Sequence, residues 1–346
     1  MEEIRALYPE ELKEALISMG EKPFRAAQVF SWLQQKNAKS FDEMTNLSLP
    51  LREALKSRFF LNPAKIEHIR VSPLDGTRKY LFRLHDGELV EGVYMRHHYG
   101  NSVCISTQVG CRMGCKFCAS TVGGLKRNLS AAEMLEEVFL MEEDSGEKIQ
   151  DLVLMGSGEP LDNYENVVRF IRLITHPDGR NLSARNITLS TSGLPDGIRK
   201  LAEEGLPVTL ALSLHAPDDA SRQKLMPIAR RYALSEVLPA CDAYFEKTGR
   251  RVSYEYAVVH NENDSREDAE KLILLLKGKN AHVNLIPVNP VKHENFTRPD
   301  EEELAAFQKT LVKSGINATI RKSMGADIEG ACGQLKSHYI EEGGQV

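Results

Sequence analysis

The chain has 346 residues, 42% of them hydrophobic and 27% charged, enough to bury a substantial core in one large domain with additions or in two. Its net charge of −5 excludes nucleic-acid binding driven by bulk charge but leaves room for a local basic surface. Six cysteines, Cys104, Cys111, Cys115, Cys118, Cys241 and Cys332, are too few and too clustered for a secreted disulfide framework. The amino terminus lacks a charged-then-apolar leader and no run reaches about 18 apolar residues, so the expected location is the cytoplasm, without a membrane partner.

In chain order, residues 1–62 carry helical periodicity in PEELKEALISMG and PFRAAQVFSWLQQ, with Pro23 suited to a first helical turn, and predict a small helical domain. Residues 63–99 alternate apolar and polar positions around LDGT and HDGE, and Asp-Gly between such runs predicts β-hairpins that extend the first edge of a larger sheet. From residue 100, short runs rich in β-branched residues (SVCIST, DLVLM, NITLSTS, VTLALSL, RVSYEYAVV, HVNLIPVN) alternate with amphipathic segments, the signature of βα units. Six such units and a last strand near ATIRKS fall short of a closed eight-fold barrel. The fold class expected is α/β, an incomplete parallel (β/α)6 barrel over residues 100–325, open on one side, with a terminal segment at 326–346. Cys241, inside an amphipathic helix, reads as core.

The stretch CRMGCKFC, Cys111 to Cys118, places three cysteines in eight residues directly after the first barrel strand. A closed zinc site needs a fourth Cys or His at suitable spacing, and no second CxxC and no HxxxH occurs. Three thiolates suit an iron–sulfur cluster with one iron left open to bind a substrate and pass it an electron, whereas an electron-transfer site uses four cysteines. A zinc knuckle, or three reduced cysteines without metal, are the alternatives.

In parallel βα barrels chemistry gathers at the carboxy-terminal strand ends. The cysteines follow strand one, Gly156 and Gly158 of GSGEP follow strand two, Ser190 closes strand three, Ser213, Leu214 and His215 close strand four, and Asn289 closes strand six. Singly, each has a plain explanation: glycines that turn the chain, a serine capping a strand, a hydrogen-bonded rim histidine, an asparagine turning ahead of Pro290. Their agreement on one rim makes that rim the candidate site.

Together, QVGCRMGCKFCAST, MGSGEPLDNYENVV, ITLSTSG, LSLHAPDD, KLMPI, HVNLIPVNP and GADIEGACGQL resemble, in order and across nearly the whole chain, the RlmN/Cfr family of radical S-adenosylmethionine (SAM) enzymes, which methylate an aromatic carbon of adenine in RNA. The resemblance implies a barrel of the radical SAM type, a [4Fe–4S] cluster on Cys111, Cys115 and Cys118, and two molecules of SAM per turnover. It implies that Gly158 and Glu159 contact the SAM amino group, a chemically sensible role for a turn presenting carbonyls and a carboxylate. Ser190, Ser213, Leu214, His215 and Asn289 would hold its carboxylate, ribose and adenine. The family usually reads Met-Gly-Met-Gly-Glu-Pro; Ser157 stands here in place of the second methionine, which bears on packing against the cofactor and not on binding it.

Adenine ring carbons are weak nucleophiles, so a radical route to methylation is reasonable and needs a carbon donor. The resemblance gives that role to Cys332, which sits between small residues and would take a methyl from one SAM and lose a hydrogen atom to the radical made from a second. The same resemblance makes Cys104 the thiol that resolves the protein–RNA adduct as a disulfide with Cys332, and Glu91 the acceptor of the ring proton. Read without it, Cys104 is a small buried hydrophobe and Glu91 an exposed strand carboxylate.

The implied substrates are 23S ribosomal RNA and transfer RNA, with the target base splayed out of its stack, and the implied partner is an electron donor of the reductase or flavodoxin type for a monomeric enzyme. Local basic groups for RNA phosphates are Arg96 with His97 and His98, Lys126 with Arg127, Arg230 with Arg231, and Arg321 with Lys322; Lys22 and Arg25 are the helical domain's candidates. Two rivals stand beside adenine C2 methylation: a Cfr-type enzyme acting on C8, and a non-catalytic RNA-binding protein whose cysteines form a structural metal knuckle.

Overall fold

The computed structural model describes residues 2–61, 64–289, 296–322 and 324–328. After a two-residue strand β1 (Glu2–Glu3), the amino-terminal region forms α1 (Pro9–Ser18), α2 (Arg25–Gln34) and α3 (Leu49–Arg58), and β2 (Phe59–Phe60) pairs with β1. Pro9 opens α1, where a missing N–H costs nothing, and Glu11 reaches back to the Tyr8 N–H at 2.7 Å. Pro23 lies two residues ahead of α2, in a turn, and not in its first turn. The third helix was not expected; its signals are the Ser48 cap, Pro50 in the first turn, and Leu51 and Leu55 on one face.

A fully buried arginine ties this region to the rest. Arg5 pairs with Glu136 at 2.6 Å on α4 (Ala131–Ser145) and donates to the carbonyls of Ala38, at 2.7 Å, and Leu33. Leu12, Phe30 and Leu55 join Leu135, Phe170 and Ile187 in one continuous apolar cluster, so helices and barrel share a core. Arg5→Met strands a carboxylate that is itself buried, and the expected cost is about 3–5 kcal/mol in chemical denaturation. A loss under about 1 kcal/mol would show that Glu136 finds another partner, the nearest being Lys39 at 3.6 Å.

Residues 65–97 form β3 (Lys65–Val71), β4 (Arg78–Arg83) and β5 (Leu89–His97), joined by the two Asp-Gly turns and pairing antiparallel onto β6 (Gly100–Cys104). The small antiparallel ladder β7 (Gln108–Gly110) with β8 (Leu125–Asn128) comes next, then α4 and the repeating units. These are β9 (Asp151–Leu154), α5 (Tyr164–Ile174), β10 (Ile187–Thr191), α6 (Pro195–Glu203), β11 (Thr209–Ser213), α7 (Asp219–Leu225), α8 (Leu234–Thr248), β12 (Val252–Val258), α9 (Arg266–Leu276), β13 (Ala281–Pro287), α10 (Glu301–Lys313) and β14 (Asn317–Ile320).

One ten-stranded sheet runs β14-β13-β12-β11-β10-β9-β6-β5-β4-β3, with β6 and β9 to β14 parallel. Among the described residues β14 and β3 do not pair, so the barrel is incomplete as expected, with the hairpin strands extending its first edge. Past β14 the chain reaches the β3–β4 turn, where Gly325 N–H donates to Asp75 at 2.8 Å and Ser72 donates to Asp327 at 2.8 Å. No helix of the described residues is long and apolar enough to cross a membrane.

Candidate active site

The parallel strands bring their carboxy-terminal ends to one edge, and the cysteine loop is built there between β7 and β8. Gly110 has φ +79°, and a Cβ on it would lie 1.9 Å from the Gly124 carbonyl, so only glycine lets the loop's two limbs approach. The Cys111 N–H donates to that same carbonyl at 3.1 Å, the Cys118 N–H to the Cys115 carbonyl at 3.1 Å, and Thr121 Oγ1 to the Cys118 carbonyl at 2.8 Å. Lys116 N–H donates to the Leu225 carbonyl at 3.0 Å, docking the loop on α7, a helix the sequence reading missed.

Burial pushes the Cys111 thiol up to about 12 and raises Cys115 and Cys118 as well, and the Cys118 sulfur adds to the rise at both Cys111 and Cys115. A metal must therefore displace their protons. Among the described residues, the group of three or more His, Cys, Asp or Glu ligand atoms lying within 4.8 Å of one another is His260, Asp264 and Glu303, so the three cysteine sulfurs are spread wider than that. Zn–S bonds of about 2.3 Å require sulfurs roughly 3.8 Å apart, whereas a cubane carries each thiolate on a separate iron. The soft three-sulfur donor set fits a [4Fe–4S] cluster.

Facing the loop is the Gly156–Glu159 turn. A Cβ on Gly156 would meet the Ile105 carbonyl at 2.5 Å, and one on Gly158 (φ +113°) would meet the side chains of Thr107 and Gln108 at 2.7 Å. The turn thus presses against the segment leading into the cysteine loop. Where the family carries methionine, it is the Ser157 backbone that works: its carbonyl accepts from Thr107 N–H at 2.8 Å and Gln108 N–H at 3.1 Å, and its N–H donates to Ser106 Oγ at 3.0 Å. The Glu159 carboxylate, 3% exposed, accepts from the N–H groups of Ser192 at 2.6 Å and Leu161 at 3.0 Å. Burial raises this carboxyl above its ordinary range and the two N–H groups pull it back.

Ser190 and Ser213, on neighbouring strands, bring their hydroxyls to 3.5 Å. The Leu214 side chain is in the core, and the Leu214 N–H donates to the Glu255 carbonyl at 3.0 Å. His215 adopts φ +56°, accepts from Ala257 N–H at Nδ1 (2.8 Å) and packs edge-on against Phe117 of the cysteine loop, with ring centroids 4.7 Å apart. With Nδ1 an acceptor, the neutral ring carries its proton on Nε2. Asn289 is exposed, two residues beyond β13.

Burial, and after it the charge of Arg222, push His215 down to about 3 from its ordinary 6.5. The unfolded chain takes up this proton near 6.5 and the folded chain does not, so the stability His215 contributes is full above 6.5 and is lost as pH falls toward 3. The difference in Tm between wild type and His215→Gln should therefore shrink between about pH 7 and pH 4. A constant difference over that range would remove His215 from the acid limb.

Cys104, Val93 and Lys79 sit opposite one another in neighbouring strands and share a face, with Glu91 two residues along the same face. The reading of Glu91 as exposed is corrected: it is 5% exposed and pairs with fully buried Lys79 at 3.3 Å. Ser106 Oγ donates to the Glu91 carbonyl at 2.8 Å, and burial pushes the Cys104 thiol up to about 11. Cys104, Cys111, Cys115, Cys118 and Cys241 are free thiols, with Cys241 fully buried in the core; Cys332 lies outside the described residues.

Sequence reading also missed Glu255, whose Oε1 accepts from Asn284 at 2.8 Å while Oε2 is buried and without a partner among the described residues, in the row of Ser213. An acid inside the apolar run YEYAVV was its available signal. The orphaned oxygen and the glycine cradle are features a polar cofactor fits. The basic pairs separate. Arg96, His97 and His98 lie where β5 turns into β6, at the edge opposite this rim, and Lys126 and Arg127 are paired, with Glu88 at 2.8 Å and with Asp86 at 2.7 Å. Arg230, Arg231 and Arg321 are exposed, and Arg321 Nη1 lies 3.7 Å from the Met155 sulfur beside the glycine turn.

The family profile of the Radical SAM superfamily matches residues 105–273, and that of the ribosomal RNA large subunit methyltransferase N-terminal domain matches residues 3–61. The chain is 55% identical, over 98% of its length and 96% of the relative's, to a protein of Lachnoclostridium phytofermentans named probable dual-specificity RNA methyltransferase RlmN. It is 50% identical to a protein of that name from Lachnospira eligens, over 99% of this chain and 98% of the relative. A crystal structure of a radical SAM methyltransferase from Sphaerobacter thermophilus superposes with TM-score 0.91 at 43% identity, covering 96% of this chain and 99% of that one.

Proposed function

We propose, because the chain belongs to the RlmN family of radical SAM RNA methyltransferases, that it methylates C2 of adenine in 23S ribosomal RNA and in transfer RNA through a methylated cysteine and a covalent protein–RNA adduct. The observation that carries this reading is the meeting on one rim of the three-sulfur loop, the Gly156–Glu159 turn and the Ser213–His215 strand end, with Cys104 and Glu91 on one sheet face beside them. The runs EPLDNYENVV and HAPDDASRQKLMPI resemble RlmN more than Cfr, which favours C2 over C8, and three cysteines with no fourth Cys or His at matching spacing disfavour a zinc knuckle.

The cluster and two molecules of SAM, fed by a reductase or flavodoxin-type donor, would supply the methyl group and the radical that removes a hydrogen atom from it. Cys111, Cys115 and Cys118 would hold the irons. Gly158 and Glu159 would take the SAM ammonium, and Ser190, Ser213, Leu214, His215 and Asn289 its remaining polar groups. His215, neutral well above its depressed value of about 3 and with its proton on Nε2, would act as a hydrogen-bond donor.

Cys332 carries the one-carbon unit and bonds through it to C2 of the base. After the adduct gives up one electron, which the oxidised cluster would accept, Glu91 accepts the C2 proton, the Cys104 thiolate, its proton released, bonds to the Cys332 sulfur, and the sulfur–methylene bond breaks with its electron pair on the methylene, which gains a proton to become the methyl group. We assign residues 1–62 to an RNA-contacting helical domain, 63–99 to the hairpin extension, 100–325 to the catalytic barrel and 326–346 to the carrier segment of a monomeric, cytoplasmic enzyme.

Mass spectrometry of adenosine from RNA incubated with anaerobic enzyme, SAM and reductant tests this. 2-Methyladenosine supports it, and 8-methyladenosine redirects it to the Cfr-type reaction. Methylated RNA from Cys332→Ala would refute the carrier.

A further inference from the structure

Arg222, on α7, is fully buried, yet among the described residues it makes no ion pair. A guanidinium in that position is costly unless something compensates it. Its Nη2 donates to the Ser192 carbonyl at 2.6 Å and the Ser213 carbonyl at 3.2 Å, and its Nε to the Leu214 carbonyl at 3.2 Å, so one fork ties together the ends of β10 and β11. Ser192 in turn holds Glu159 through its N–H. The remaining edge, Nη1, is buried with no partner among the described residues. A deprotonated Cys115, the form a metal would hold, favours the charged guanidinium, as Asp219 does. Three residues beyond Arg222, the Leu225 carbonyl receives the N–H of Lys116, next to Cys115.

We propose that Arg222 is the positioning residue and counter-charge of the metal loop: its unpartnered Nη1 is buried on the same helix whose Leu225 carbonyl holds the loop at Lys116, where its positive charge raises the reduction potential of a bound cluster, while its fork fixes the strand ends that receive SAM. The inference rests on the reading that Cys111, Cys115 and Cys118 hold a [4Fe–4S] cluster. Charge and fork are separable roles. A lysine keeps the first and loses the second, since its ammonium has no planar fork to span three carbonyls. A glutamine loses the charge.

The test compares anaerobically reconstituted wild type, Arg222→Lys and Arg222→Gln, each checked for iron content and thermal unfolding. Electron paramagnetic resonance reads the ratio of reduced to oxidised cluster at one fixed potential. Arg222→Gln should lower that ratio about tenfold, which is 59 mV for a one-electron couple. Arg222→Lys should hold it while raising the KM for SAM. A folded, fully loaded glutamine variant with the wild-type ratio overturns the proposal. Should glutamine prevent folding or loading, the lysine variant decides: a held ratio with raised KM supports it, and a ratio as low as tenfold down, with the charge retained, refutes it. Wild-type protein that takes up no iron would instead defeat the cluster reading, which separates the two failures.

Discussion

Alanine at Cys111, Cys115 or Cys118 is expected to abolish reductive cleavage of SAM, each alone as fully as all three together. In a three-ligand cluster every thiolate holds its own iron, so one missing sulfur leaves an iron with no protein ligand and not merely a weaker site. The loop itself should survive. Its shape rests on bonds that no thiol makes, from Cys111 N–H to Gly124 and Lys116 N–H to Leu225 along the main chain and from the Thr121 hydroxyl to the Cys118 carbonyl. Circular dichroism and Tm should therefore stay near wild type while iron, sulfide and 5′-deoxyadenosine fall to background. Cys241→Ala is the control: it removes a fully buried thiol from the core and should cost about 1–2 kcal/mol of stability with full cluster content. An intact cluster and normal SAM cleavage in Cys115→Ala would show that another group completes the ligand set.

The parallel strands were legible because both their faces are covered. Ile187–Thr191 and Thr209–Ser213 read as short β-branched or apolar runs with amphipathic helices on either side. Strand ends then gave the rim, since in this architecture a residue's distance from its strand's carboxy terminus places it. What stayed hidden depends on tertiary partners. Helix α7 is seven residues long and its buried side chains include Arg222, so a search for apolar periodicity passes over it. Ladder β7–β8 closes over a loop fixed by Gly110 and Gly124 and not by strand propensity. Residue type alone sends Glu91 to solvent, because a lone carboxylate is rarely buried. The fold instead buries it against Lys79, on a face of β4 and β5 that also carries Leu81 and Val93. The basic run at 96–98 falls at the edge opposite the rim, which the sequence does not disclose because net charge does not say which end of a strand it occupies.

Replacing Cys104 with alanine should leave a protein that reacts once and stays attached to its RNA. The proposed task of this thiol begins after the carbon–carbon bond exists, so cluster assembly, SAM cleavage and loading of Cys332 do not require it, and only release fails. On a denaturing gel the variant should run as a shifted, nuclease-sensitive band at up to one RNA per chain, with turnover lost. The wild-type enzyme carries a further signature. Burial puts the Cys104 thiol at about 11, and the thiolate is the attacking form, so at neutral pH only a small fraction is ready. Below that value the thiolate fraction grows about tenfold per pH unit, and the wild-type adduct should become shorter-lived as pH rises from about 7 to 9. The Cys104→Ala adduct should be equally long-lived across the same range. The competing account makes Cys104 a small buried hydrophobe on β6, half covered and filling space beside Val93. On that account the alanine variant loses some stability, turns over normally and forms no adduct, and that outcome would take Cys104 out of the chemistry.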